Sequence, residues 1–259
     1  MRIMILGDVH GDFGALNRLL AQKRPDLVLQ CGDFGFWPND PGKGSDRGLH
    51  PFDPARRLKN HTSKGDPIPI YWCDGNHEEF PELFRRWRAA GGALRPLEVS
   101  PSCFWMPRGS SLLLNDGRRV CFMGGARSVD RPLRTKGVDW FPEELLPWET
   151  LDHLPGRADI VISHTSPRTF GVSKAESVTM GAGWGRTVAA GLDFTPDTSQ
   201  DVLDEVLRRL RPTRWYFGHY HWERRGEAAG CRWRCLADIT RSGAGGRFWT
   251  WLPDTHFNF

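Results

Sequence analysis

Nowhere in the 259 residues do eighteen apolar residues run together, so no membrane-spanning helix is expected. The six cysteines contain no CxxC pair, and Cys231 and Cys235 are spaced wrongly for a zinc clip. A zinc ribbon and a thioredoxin-type motif are thereby excluded. Cys31 and Cys73 fall inside apolar runs and read as buried thiols, which points to a reducing compartment without disulfides. The N-terminal run Met1 to Leu6 lacks the long apolar stretch and small-residue cleavage site of a signal peptide, so a soluble cytoplasmic protein is the expectation. There is no internal repeat. Neither sign of charge dominates: the formal charge is +4 and the pI about 8.8. That balance suits an anionic substrate but does not by itself argue for nucleic acid.

What is present is a globular composition, 39% hydrophobic and 25% charged. The length suits one domain over residues 1–259, with loop insertions near 37–66 and 167–197. Short apolar runs at Ile3 to Leu6, Leu27 to Cys31 and Ile68 to Cys73 read as buried strands. Between and after them, Ala15, Leu16, Leu19 and Leu20, then Phe80, Leu83, Phe84 and Trp87, recur at helical spacing. Pro25 ends the first helix, and Pro81 is tolerated in the first turn of the second. This β-α-β order implies parallel strands. Phe104 to Leu114 and Arg118 to Met123 read as strands joined by the hairpin signal Asn115-Asp116-Gly117. Ile160 to Ser163 and Trp215 to Phe217 are further strands. Thr198 to Leu210 reads as a helix whose start, Thr198 with Asp201, resembles a capping box. Arg232 to Leu236 and Arg247 to Leu252 read as closing strands.

The chemistry follows the strands. Asp8 and His10 follow the first, Asp33 the second and Asn76 the third. His164 follows Ile160 to Ser163, and His219 and His221 follow Trp215 to Phe217. In open α/β sheets, ligands gather at the carboxyl ends of strands. A two-residue spacing in an extended chain points Asp8 with His10, and His219 with His221, to one side. Five segments therefore deliver carboxylate, amide and imidazole donors to one edge. Such a set, free of thiolate, suits Mn²⁺, Fe or Zn²⁺, and Mn²⁺ is the cation expected to support activity.

These blocks, Asp8-Val9-His10, Gly32-Asp33, Gly75-Asn76-His77-Glu78, His164 and Gly218-His219-Tyr220-His221, closely resemble the calcineurin-like metallophosphoesterase superfamily. Its pattern is D-x-H, G-D, G-N-H-[ED], a His and G-H-x-H. The resemblance implies an α/β fold: a four-layer α/β/β/α sandwich of two mixed sheets flanked by helices. It also implies two divalent metal ions, one held by Asp8, His10, Asp33 and His221. The other would be held by Asp33, Asn76, His164 and His219, with Asp33 bridging. His77 matches a motif histidine that is not a ligand and would act on the developing charge or the leaving oxygen. Ions roughly 3.5–4 Å apart clamp both oxygens of an in-line displacement and make a bound water hydroxide near neutral pH.

The substrate is less clearly written. Where Ser/Thr protein phosphatases of this superfamily carry a further Asp and Arg after G-D, this chain has Phe36 and Trp37, and their Arg before G-N-H-E is Asp74. Bidentate arginine recognition of phosphate is missing at those positions. Arg127, after a strand and a glycine pair, is the candidate replacement for substrate binding beside Asn76 and His77. Arg131 and Arg168 are weaker versions, and Asp139 and Trp140 are candidates for lining the mouth. Trp37, Trp140, Trp184 and Trp222 are candidates for stacking a base, against the commoner packing role of tryptophan. His50, His61, His153 and His256 match no block and read as structural or exposed.

The leading expectation is a metal-dependent phosphoesterase that uses a metal-bound hydroxide on phosphodiester or small nucleotide-type substrates. The alternatives are a nuclease or end-healing phosphatase acting on nucleic acid, a Ser/Thr protein phosphatase, and a metal-binding scaffold without turnover.

Overall fold

The computed structural model describes residues 1–39, 53–179, 191–239 and 246–252. Its first sheet is built from β1 (Ile3–Leu6), β2 (Leu27–Gln30), β3 (Ile70–Trp72), β4 (Leu97–Ser100), β5 (Cys103–Trp105) and, from the far end of the chain, β12 (Trp249–Trp251). Its second holds β6 (Ser111–Leu113), β7 (Arg119–Met123), β8 (Ile160–Ser163), β9 (Arg214–Phe217), β10 (Arg224–Ala228) and β11 (Cys231–Cys235). The spatial orders are β12-β1-β2-β3-β5-β4 and β10-β11-β9-β8-β7-β6. In each sheet four central strands run parallel and the two edge strands run antiparallel.

The layers follow from side-chain alternation. On β1 and β2, Ile3, Ile5, Leu27 and Leu29 face Val120, Phe122, Ile160, Ile162 and Tyr216 of the second sheet, forming the core between the sheets. Met4, Leu6, Val28 and Trp72 point the other way. They pack under Phe13, Leu16 and Leu20 of α1 (Phe13–Lys23) and Leu83 of α3 (Phe80–Ala89). On the opposite flank, Val202, Leu203, Val206 and Leu207 of α5 (Ser199–Leu210) cover Val161, Trp215 and Phe217. Strands covered on both faces read as continuous apolar runs, which is why β1, β2 and β8 were legible. The result is the four-layer sandwich with two mixed sheets. Among the described residues no helix is long and apolar enough to cross a membrane, and all six cysteines are buried free thiols.

Several boundaries differ from the sequence reading. Phe104 to Leu114 is two strands, not one: β5 belongs to the first sheet and β6 to the second, with Pro107 and Gly109 in the crossing. The 115–117 hairpin forms as expected, with Gly117 at φ 86°. Thr198 makes no capping bond. The Asp197 carboxylate accepts the Ser199 N–H at 2.9 Å instead, because the aspartate precedes the first free N–H groups. Two edge strands, β4 and β10, had no sequence signal.

The expected insertions fall partly outside the described residues, as do His50, Trp184 and His256. The described part of 37–66 includes a short helix, α2 (Pro54–Arg57), and that of 167–197 includes α4 (Lys174–Thr179).

Candidate metal centre

Each candidate donor stands just past a parallel strand: Asp8 and His10 after β1, Asp33 after β2, Asn76 after β3, His164 after β8, His219 and His221 after β9. The structure brings all seven together. Donor atoms of Asp8, His10, Asp33 and His221 lie within 4.8 Å of one another. His221 Nε2 is 3.1 Å from Asp8 Oδ2 and 3.0 Å from His10 Nε2. Two imidazole nitrogens that close need a shared proton or a cation between them. On the other side, Asn76 Oδ1 is 3.0 Å from both His164 Nε2 and His219 Nδ1. Asp33 Oδ2 joins the two groups, 3.3 Å from His164 Nε2 and 3.7 Å from His10 Nδ1.

Surrounding groups fix which atom of each side chain faces inward. Asp33 Oδ1 accepts the N–H groups of Asn76 and His77 at 2.8 and 2.9 Å, so Oδ2 is left to the histidines. His164 Nδ1–H donates to the Cys31 carbonyl at 2.8 Å, which turns the Nε2 lone pair inward. Asn76 Nδ2 donates to Ser128 Oγ at 3.0 Å, and Ser128 is held by Glu144. The amide oxygen of Asn76 must then point at the imidazoles. Asp238 lies 3.5 Å from His221 Nδ1. Glu78, from the same motif as Asn76, accepts the N–H groups of Phe34, Gly35 and Phe36 at 2.7–3.1 Å and cinches the loop that follows Asp33.

Four of the donors have a left-handed backbone: His10 at φ 50°, Asp33 at 52°, His219 at 67° and His221 at 55°. Such a conformation costs on the order of 1 kcal/mol at a non-glycine residue and concentrates at functional sites. Gly75 and Gly218 have no room for a side chain, since a methyl group there would overlap the Asp33 and Asp8 carboxylates.

The protonation states suit cation binding. Burial, with His221 and His77 nearby, pushes His10 down to about 3. Burial also holds His219 well below its usual value. Burial acts to raise Asp33, but His164 and His77 outweigh it and keep the carboxyl well below the ordinary range. Burial acts to lower His164, yet Asp33 and Asp8 lift it to about 9. A cation on His164 Nε2 would displace that proton. His10 Nδ1 is buried without a hydrogen-bond partner among the described residues. The donor chemistry and this orphaned nitrogen fit divalent cations.

His77 stands at the edge, Nε2 3.8 Å from Asp33 Oδ2. Its ring receives the Arg134 guanidinium, Nη2 lying 3.1 Å from Nε2. Arg134 is held by Asp130 at 2.7 Å and by the Asp139 carbonyl at 3.1 Å. The cation at this histidine therefore comes from Arg134, a residue the sequence reading did not single out. Arg127 donates to Asp193 at 3.1 Å and lines a cavity beside His219. Arg131 stacks over Trp140, and Arg168 pairs with Asp201. Asp74 ion-pairs with Arg108 at 2.7 Å and accepts from Trp105 Nε1. Trp37 donates to the His77 carbonyl, and Trp222 lies under Arg224. These tryptophans pack against their own chain. His61 and His153 are exposed, away from the seven donors.

A family model described as calcineurin-like phosphoesterase matches residues 1–223. No curated protein matches the chain. Among solved structures, a similar chain is GAP50, described as the anchor in the inner membrane complex of Plasmodium. It is 12% identical, with a TM-score of 0.46 over 96% of this chain and 75% of that one. Every donor from Asp8 to His221 lies inside the span that the family model matches, and by that match the chain belongs to the calcineurin-like phosphoesterases.

Proposed function

We propose that this protein is a dinuclear metal-dependent phosphoesterase, one domain over residues 1–259, acting on phosphodiester or nucleotide-type substrates. The observation that carries the reading is Asp33 Oδ2 standing between two donor groups, 3.3 Å from His164 and 3.7 Å from His10. Asp8, His10, Asp33 and His221 would hold one cation, and Asp33, Asn76, His164 and His219 the other, with Mn²⁺ favoured. When bound, such ions supply Lewis-acid polarisation and a water whose pKa falls towards about 7.

The chain's own residues do the rest. Asp8 and Asp33 offset the positive charge. Arg134 presents a fixed guanidinium to the charge that develops on phosphate oxygens. His77, whose Nε2 accepts from Arg134, would act on the leaving oxygen or its developing charge once substrate takes that contact. Arg127 contacts substrate from the cavity side.

The test is reconstitution with Mn²⁺ and a side-by-side screen of aryl phosphodiesters, phosphomonoesters, cyclic nucleotides, dinucleotides and oligonucleotides. Hydrolysis by wild type is expected, with loss in Asp33→Ala and His77→Ala and fewer bound ions in Asp33→Ala. Equal activity in all three proteins would overturn the reading.

A further inference from the structure

Beside His219 opens a cavity of about 360 Å³, large enough for a small organic molecule. Its walls carry three cations, Arg127, Arg168 and Lys174, one carboxylate, Asp197, which is taken up by the N–H groups of Arg127 and Ser199, and the apolar Val129 and Phe194. Two of the cations already have partners: Arg127 pairs with Asp193 at 3.1 Å and Arg168 with Asp201 at 2.8 Å. Lys174 has no carboxylate within ion-pair distance among the described residues. Its ammonium donates to the His219 carbonyl. Burial lowers the pKa of this ammonium, and the Asp8, Asp33 and Asp130 carboxylates act against that to keep it charged.

Asp8 and Asp33 are the charges that the proposed metal ions would take up. In the loaded protein Lys174 then faces a positive centre without a counter-anion of its own. A half-buried ammonium in that position calls for an anionic ligand. The cavity wall also bears Phe194, an aromatic residue left 41% exposed. Rings of this kind stack planar groups whatever their sequence of polar atoms.

We propose that this cavity is a subsite for a nucleoside diphosphate, with the phosphate next to the scissile one held by Lys174 and flanked by Arg127, and the base lying on Phe194. The proposal rests on the phosphoesterase reading above and names its substrate class. The reaction needs only water. Its oxygen bonds to the terminal phosphorus, the anhydride P–O bond breaks, and the nucleoside monophosphate and inorganic phosphate leave with the water's protons.

The experiment compares ADP with AMP on the Mn²⁺-loaded full chain. Wild type is expected to favour ADP at least tenfold in kcat/KM, and Lys174→Met to cut that preference at least tenfold. Phe194→Ala changes an exposed side chain, so folding is not at stake, and is expected to raise KM for ADP at least threefold. The same preference in wild type and Lys174→Met would overturn the proposal, as would no preference in wild type. Equilibrium dialysis with the methylene analogue of ADP and with AMP reads selectivity without turnover. Protein that hydrolyses nothing yet binds the analogue at least tenfold better, with the difference lost in Lys174→Met, defeats the hydrolytic reading and keeps the subsite. Hydrolysis of simple esters without that binding difference does the reverse.

Discussion

The Asp8 carboxylate accepts the backbone N–H of His219 with both oxygens at 3.0 Å. Residues 211 positions apart are thereby held in van der Waals contact at the centre of the site, and Gly218 leaves room for the carboxylate to lie there. Gly218→Ala puts a methyl group where that carboxylate is. The expected outcome is a fall in Mn²⁺ affinity of about 10–100-fold, the range seen when outer partners of metal ligands are disturbed, with the fold retained. Titration calorimetry and circular dichroism on the same preparation check it, and unchanged affinity would contradict it.

Ser128 is the second lever. It takes the Asn76 Nδ2 hydrogen and is itself anchored by Glu144. Ser128→Ala frees the Asn76 amide to rotate, so metal affinity should fall by about tenfold. Ser128→Thr, which keeps the hydroxyl, should recover part of the loss in the same titration.

Arg134 separates binding from turnover. Because it contacts His77 rather than the metal donors, Arg134→Gln should leave metal content at the wild-type level. Its kcat should fall by about 100-fold, the scale of losing one preorganised donor to developing charge. Arg134→Lys should recover only part, since an ammonium cannot reach His77 and Asp130 with the same planar fork. Metal analysis alongside steady-state kinetics makes the distinction. Loss of metal in Arg134→Gln would refute it.

Acid stability tests the outer layer. Hydrogen bonds from Arg85 and then Arg86 hold Glu82 down to about 2, at 2.7–2.8 Å. The folded value lies below the unfolded one of about 4.3, so the stabilisation is complete above that pH and disappears as pH falls towards 2. Wild type should therefore be more stable than Glu82→Gln at pH 6, and the gap should close by pH 2–3. Urea midpoints across that range measure it. A constant gap would show that the ion pairs contribute nothing.

Most of the sandwich was legible because its central strands are buried on both faces. Ile3–Leu6 and Ile160–Ser163 have no polar alternation to blur them, and each is followed at once by its donors. The edges were not legible. Residues 224–228 are Arg-Arg-Gly-Glu-Ala, none of them fully buried, and become a strand only by pairing with Cys231–Cys235. The crossing between sheets lies at Pro107-Arg108-Gly109-Ser110, a break between two short apolar runs whose assignment to different sheets no local pattern reveals. Within the site, motif spacing identified the donors but not the side chains that orient them. Arg134 reaches His77 across 57 residues and Ser128 reaches Asn76 across 52, distances over which no local periodicity exists.

The left-handed turns at His10, Asp33, His219 and His221 are already imposed by the packed strands around them. A backbone already turned in this way should take up a divalent ion with little change in the fold. With nitrogen and oxygen donors that many first-row divalent ions accept, the metal found in the protein would then record what its surroundings supply, more than any preference written into the polypeptide.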